Sequence, residues 1–395
     1  MHFAVRRLVC LLWCFVSLAN GGCSLLDDRN ESLSGEEDSS SALLSLDGFK
    51  ERYNELTGAG PDPVLARQLF EEAGAFYSAA TQQQDPQSET GREQFLAAAE
   101  KYEEAVERWP HSSIEEQSLY RLGESYFFTD RYPDADDAYA TLVKEYPHTR
   151  YLDLAQARRF AIAQYWLAQH DHDPQPIYAF NMTDDSRPLR DGFGRAINIF
   201  DRIRLDDPTG RLADDATLAM GNAYFTSADF LRADEYYTDL RKTFPASEHQ
   251  FRAHFLGLKS KLKSYMGVEY SGKPLDETEK LLKQVNRQFP VEAERERDFL
   301  ARAAAEIQFR KAERNWHRAQ RHDRRDEFGA ARVYYRKLVR DFSETTFADR
   351  ATARLKEISG RPDLPPQRLS WLADWFPEEK TVKPLVATGN HSQLR

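Results

Sequence analysis

The stretch LYRLGESYFFTDRYPDADDAYATLVKEYPHT, residues 119–149, decides the fold of this chain. Its first half sets Leu119, Leu122, Gly123 and Tyr126 three and four residues apart. Its second half does the same with Ala135, Tyr139 and Leu142, then stops at Pro147. Residues spaced this way share one face of an α-helix, so each half reads as a helix with one apolar stripe. Proline cannot continue a helix, and it biases the residue before it away from helical angles. The pattern predicts two helices, the second closed by Tyr146 and Pro147.

The second half recurs along the chain. Ala98-Tyr102-Ala105-Pro110, Ala196-Phe200-Ile203-Pro208 and Ala233-Tyr237-Leu240-Pro245 repeat it closely. Thr278-Leu282-Val285-Pro290 and Ala331-Tyr335-Leu338-Ser343 are looser copies. The stop positions fit one 37-residue unit with insertions of 24, 8 and 16 residues. Trp109, Tyr146, Phe244 and Phe289 each precede a stop as a bulky plug. The first half returns as Thr217-x2-Met220-Gly221-x2-Tyr224. Glycine inside a helix costs about 1 kcal/mol against alanine, so Gly123 and Gly221 are expected where another helix packs hard on the backbone. Ser112-x2-Glu115, Ser247-x2-Gln250 and Thr346-x2-Asp349 read as capping boxes opening the next helix.

Together the two halves resemble the tetratricopeptide pattern of W-x2-L-G-x2-Y, A-x3-F and P. The resemblance implies an all-α, right-handed superhelical solenoid of about five to six helix pairs, growing as one continuous stack. The expected stack spans residues 62–358, beginning with a helix over 62–83 that carries Leu65, Leu69, Ala73, Phe76 and Tyr77. The Asp- and Pro-rich insertion at 169–191 reads as a loop, and Gly267 to Pro274 is a second insertion. Charge-rich sequence near 295–327 reads as an extended helix pair. Residues 359–395, with Pro362, Pro365, Pro366, Trp371, Trp375 and Phe376, read as an extended or loosely docked tail.

The N-terminus reads as a targeting signal. Arg6 and Arg7 precede an apolar run from Leu8 to Ala19, which suits a secretory signal over residues 1–22 and is short for a membrane span. Cys10, Cys14 and Cys23 are the only cysteines, so cleavage before Cys23 leaves no internal disulfide. Asn20-Gly21-Gly22-Cys23 resembles a bacterial lipobox, with Asn20 where leucine is usual. The resemblance implies acylation of Cys23, and several acyl chains give stable anchoring. Ser24 resembles the outer-membrane sorting choice. Residues 24 to about 48 are acidic and serine-rich, a composition expected to make residues 23–61, from Cys23 on, a flexible tether.

Composition narrows the function. A hydrophobic content of 41% is enough for a sizeable core, and a net charge of −10 disfavours nucleic acid as the main partner. No nucleophile elbow, phosphate-binding loop or metalloprotease motif is present. No catalytic set, metal site or cofactor is expected. His170-Asp171-His172-Asp173 reads as a solvated polar loop, and Gly192-Phe193-Gly194 opens a helix with no strand before it.

Two surfaces are candidates for partners. The tetratricopeptide resemblance implies that first helices line a concave groove. Carried over, that face holds Tyr120, Glu124 and Phe127 in one unit and Leu218, Asn222 and Phe225 in another, joined by Trp166. Aromatic and polar side chains together suit aromatic-rich peptide ends; alternatively, these aromatics pack between neighbouring first helices. The second surface is a basic block from Arg310 to Arg340 that includes Arg314, Arg318, Arg321, Arg325, Arg332 and Arg336. It suits an acidic domain or lipid headgroups; alternatively, it forms solvated faces with local pairs such as Arg310 with Glu313.

Trp109-Pro110-His111-Ser112 and Tyr146-Pro147-His148-Thr149, with the lipobox-like start, resemble the BamD type of outer-membrane assembly lipoprotein. That resemblance implies a non-enzymatic, lipid-anchored scaffold on the periplasmic face of the outer membrane. Its implied partners are unfolded β-barrel proteins and the barrel component of the assembly machine. The insertion, tether and aromatic tail depart from that family. A periplasmic tetratricopeptide lipoprotein coordinating cell-wall or division machinery is the second reading, and an envelope enzyme the third.

Overall fold

The computed structural model describes residues 60–174 and 180–365. The expected signal peptide, Cys23, nearly all of the tether, and Trp371, Trp375 and Phe376 lie outside the described residues. Among the described residues there are fourteen α-helices and no strand.

Six helix pairs follow one another. They are α1 (Pro63–Thr81) with α2 (Glu89–Arg108), α3 (Ser113–Phe128) with α4 (Tyr132–Glu145), and α5 (Leu152–His172) with α6 (Gly192–Asp206). Next come α7 (Ala213–Thr226) with α8 (Phe230–Thr243) and α9 (Gln250–Lys263) with α10 (Lys273–Gln288). After the short α11 (Pro290–Arg295), the 27-residue α12 (Arg297–Asp323) pairs with α13 (Phe328–Asp341), and α14 (Thr346–Glu357) closes the stack. Successive helices pack on one another, which is the nearest-neighbour order of a solenoid.

The repeat positions form its core. Every stripe residue of the second helices is at most 2% exposed, except Leu282 of the looser fifth copy. There Leu281 is buried instead, and Leu282 packs half-buried at the cluster edge. Burying a Leu- or Phe-sized side chain contributes about 1.5–3 kcal/mol, so the stripes alone account for why the pairs form.

The helix ends follow the chemistry of the sequence. Trp109, Tyr146, Phe244 and Phe289 each cap a helix in non-helical backbone, with ψ between 60° and 76°. Pro290 also begins α11, a place where its missing N–H is no loss. Ser112 caps α3 by accepting from the Glu115 amide at 3.1 Å. The other two capping expectations are corrected. Helix α9 begins at Gln250, whose side chain donates to the Phe244 carbonyl at 2.6 Å and ties back to the preceding helix. Helix α14 begins at Thr346, and its N-cap Thr345 donates its hydroxyl to Phe342 rather than capping.

Within three of the pairs the turn between helices passes through a left-handed residue: Asp130 (φ 60°), Ala228 (φ 61°) and Asp326 (φ 58°). The amide of the following residue bonds back to Tyr126, Tyr224 or His322, closing the first helix. Alanine has no side-chain compensation in this conformation, which costs an L-residue about 1–2 kcal/mol. Ala228→Gly is therefore expected to raise stability by about 1 kcal/mol; a lower urea midpoint would contradict it.

Gly123 and Gly221 sit where the sequence places close helix contact. A methyl group at Gly123 would lie 2.5 Å from the Tyr139 ring, and one at Gly221 2.7 Å from the Tyr237 ring. Both rings are fully buried and cannot give way. Gly123→Ala is expected to cost about 1–3 kcal/mol by overpacking, despite alanine's better helix propensity. An unchanged denaturation midpoint would show that the ring moves freely.

Ionic ties join successive pairs. Three acids stand one residue past the first stripe position: Asp136, Asp234 and Glu279. Each meets a base on the next first helix, namely Arg159 at 2.8 Å, Lys261 at 2.6 Å and Lys311 at 2.6 Å. In the last pair the same place holds Arg332. It donates to the carbonyls of Ile358 and Arg361, and to Asp363. The chain through residue 363 is thus docked on α13, the docked alternative of the tail expected from residue 359.

Candidate partner-binding site

The expected groove is mostly filled by the stack itself. Because residue 123 lacks a side chain, the Tyr139 ring crosses α3 and its hydroxyl donates to Glu124 at 2.6 Å. Burial pushes the Tyr139 hydroxyl well above its usual pKa, so it remains a donor. Arg158 of α5 grips the same carboxylate through Nε at 2.7 Å and Nη2 at 3.0 Å. The α7 copy repeats the bond, with Tyr237 donating to Asn222 at 3.0 Å. Tyr120 stacks on Tyr151 with centroids 4.2 Å apart. Trp166, 1% exposed, donates to the Ser186 carbonyl at 2.9 Å, and Leu218 lies in the core.

Tyr120, Glu124, Trp166 and Leu218 are buried between helices, the packed arrangement that the sequence had also left open. Asn222 keeps one half-buried edge. Phe127 and Phe225 are also half-buried. Phe127 lies 4.3 Å beneath the Arg158 guanidinium, and Phe225 meets Phe230 edge-on at 5.4 Å.

The basic block divides likewise. Arg314 is 9% exposed and donates to the carbonyls of Gly267, Val268 and Tyr270. Arg321 pairs with Glu269, Arg310 pairs with Glu306 rather than Glu313, and Arg332 holds the chain after α14. Arg314, Arg321 and Arg332 thus bind the protein's own loops. Arg318, Arg325 and Arg336 are exposed and have no ion-pair partner among the described residues.

A deeper site arises at the insertion, whose sequence was read only as a loop. Residues 181–189 close on themselves: the Asn181 amide donates to the Leu189 carbonyl at 2.7 Å, and its side chain donates to Asp184 and Arg187 carbonyls. Ser186 pins this loop to Tyr165 and Trp166. Between it, the C-termini of α5 and α7 and the start of α6 lies a cavity of about 740 Å³. Trp166, Phe180, Phe193 and Tyr224 supply its apolar wall. His170 packs on Phe193 at 5.1 Å, and Tyr224 meets Phe193 edge-on at 5.6 Å. Arg187, Arg190 and Arg232 supply its charge. A concave apolar wall with few polar groups is the usual form of a ligand site. Its aromatic residues are distant in sequence; Trp166 was singled out as a groove residue, but no local signal joined it to Phe180, Phe193 and Tyr224 as one cavity wall.

Among the described residues no three His, Cys, Asp or Glu side chains group as metal ligands. No described helix is long and apolar enough to cross a membrane.

Comparison with known families agrees with this architecture. The profile of the tetratricopeptide repeat family matches residues 117–149, which cover α3 from its second turn onward and the whole of α4. The fold and this repeat are similar to those of tetratricopeptide-type proteins, a class whose domains generally bind other proteins and typically act as non-enzymatic scaffolds. No curated protein matches the sequence.

Proposed function

We propose that the protein is a lipid-anchored scaffold of outer-membrane β-barrel assembly, holding partner proteins against its first-helix face and insertion cavity. The observation that carries the binding role is the aromatic-walled cavity set into a tetratricopeptide stack. The envelope placement draws on the basic-apolar start and Cys23. The assembly role draws on the aromatic-Pro-His turns at 109–112 and 146–149. No step of this role needs a catalytic side chain or a cofactor.

The test is co-purification from detergent-solubilised membranes with the native N-terminus intact. Recovery of a large β-barrel protein supports assembly. Recovery of peptidoglycan synthases instead supports the coordinating role in cell-wall or division machinery. Phe127→Ala with Phe225→Ala is expected to reduce partner recovery several-fold while circular dichroism holds. Loss of helical signal would assign both rings to the core and remove them from the binding face.

A further inference from the structure

We infer that the insertion cavity selects an extended segment of a protein partner in which an acidic side chain lies within a few residues of an aromatic or large aliphatic one. This rests on the scaffold reading and specifies what its cavity recognises.

Charge is the first ground. The chain carries a net charge of −10, yet this cavity is lined by Arg187, Arg190 and Arg232 against two carboxylates, Asp173 and Asp191. Asp191 is already engaged, accepting from the Gly194 amide at 2.8 Å to cap α6. Arg187 faces Asp184 at 3.2 Å and Asp173 at 3.9 Å. Arg232 faces Asp229 at 3.5 Å and lies over the Tyr224 ring. Arg190 is exposed and has no ion-pair partner among the described residues. A guanidinium beside a partly desolvated wall is a strong carboxylate donor.

Shape is the second ground. The wall of Trp166, Phe180, Phe193 and Tyr224 accepts a flat or bulky apolar group. Phe180 of this wall is 63% exposed, and on the same loop Met182 (86%) and Leu189 (60%) are also open to solvent. Neighbouring apolar side chains of a peptide can cover this rim. A small anion alone would leave wall and rim uncovered, and an apolar group alone would leave Arg190 unmatched.

The test uses the full-length protein and phage-displayed random dodecapeptides. Enrichment of Asp or Glu within about three residues of Phe, Tyr, Trp or Leu is expected. The best peptide, fluorescein-labelled, is then titrated by anisotropy. Replacing its acid by the amide is expected to weaken binding about tenfold, the effect of one charge-assisted contact. Arg190→Glu is expected to weaken it at least as much with an unchanged melting curve, because among the described residues Arg190 has no ion-pair partner to lose. Selection of neutral or basic peptides, or of none, overturns the inference. So does a change under twofold from either replacement. If native co-purification still recovers a β-barrel protein, only the cavity assignment falls. If peptide binding is acid-dependent but no envelope protein is recovered, the assembly reading falls and the cavity assignment stands.

Discussion

Asp136→Ala is expected to destabilise the protein by about 3–5 kcal/mol, among the largest effects of any single change outside the apolar core. Asp136 and Arg159 are 2.8 Å apart, with side chains only 7% and 5% exposed. Removing the carboxylate leaves a guanidinium buried between α4 and α5. Its remaining acid, Asp206, stands 3.9 Å away and is itself 31% exposed, too far and too wet to replace it. The control is the double change Asp136→Leu with Arg159→Met. Replacing a whole buried pair by apolar groups is often neutral or stabilising, so the double variant is expected to recover most of the loss. Urea denaturation of the two variants checks this. Equal losses in both would mean that packing volume, not the stranded charge, sets the cost.

Trp166→Ala is expected to cost about 3–5 kcal/mol, the usual range for a fully buried large aromatic. Trp166 is 1% exposed and sits in the cluster that joins α3 through α7. Its indole also holds the Ser186 carbonyl at 2.9 Å, so its loss releases the insertion loop as well as opening a void. Thermal unfolding is expected to fall by several degrees. Trypsin is expected to cut after Arg190 faster than in the parent protein, while the Arg187–Pro188 bond resists it in both. Trp166→Phe keeps much of the packing but not the bond, so it is expected to show the faster cutting with a smaller thermal loss. If Trp166→Ala melts like the parent and resists trypsin equally, the loop is held by other contacts.

These two residues show where sequence reading succeeds and where it stops. The stripe of Ala135, Tyr139 and Leu142 predicts its own burial, because periodicity is a local property of the helix that carries it. Helix ends at Trp109, Tyr146, Phe244 and Phe289 are equally local, set by the proline that follows. Ala228 carries no turn signal, yet it occupies the same left-handed place as Asp130 and Asp326. Asp136 gives no sign of being paired, since Arg159 lies 23 residues on and the other two ties span 27 and 32. Arg314 reads as one more exposed base in a charged run. In the structure it faces carbonyls more than forty residues earlier, which no charge count reveals.

The sequence by itself determined that this chain is a stack of helix pairs, and which side of each second helix turns inward. That information is written in spacing and in stop residues, which act within a turn or two of chain. The tertiary structure alone decided which first-helix residues remain open. Tyr139 reaches over Gly123 and takes Glu124 out of any groove, while Phe193 and Tyr224 come together only because α6 and α7 pack side by side. Exposure depends on what a neighbouring helix places above a residue, and that neighbour is chosen by the stack rather than by the residues alongside it in sequence.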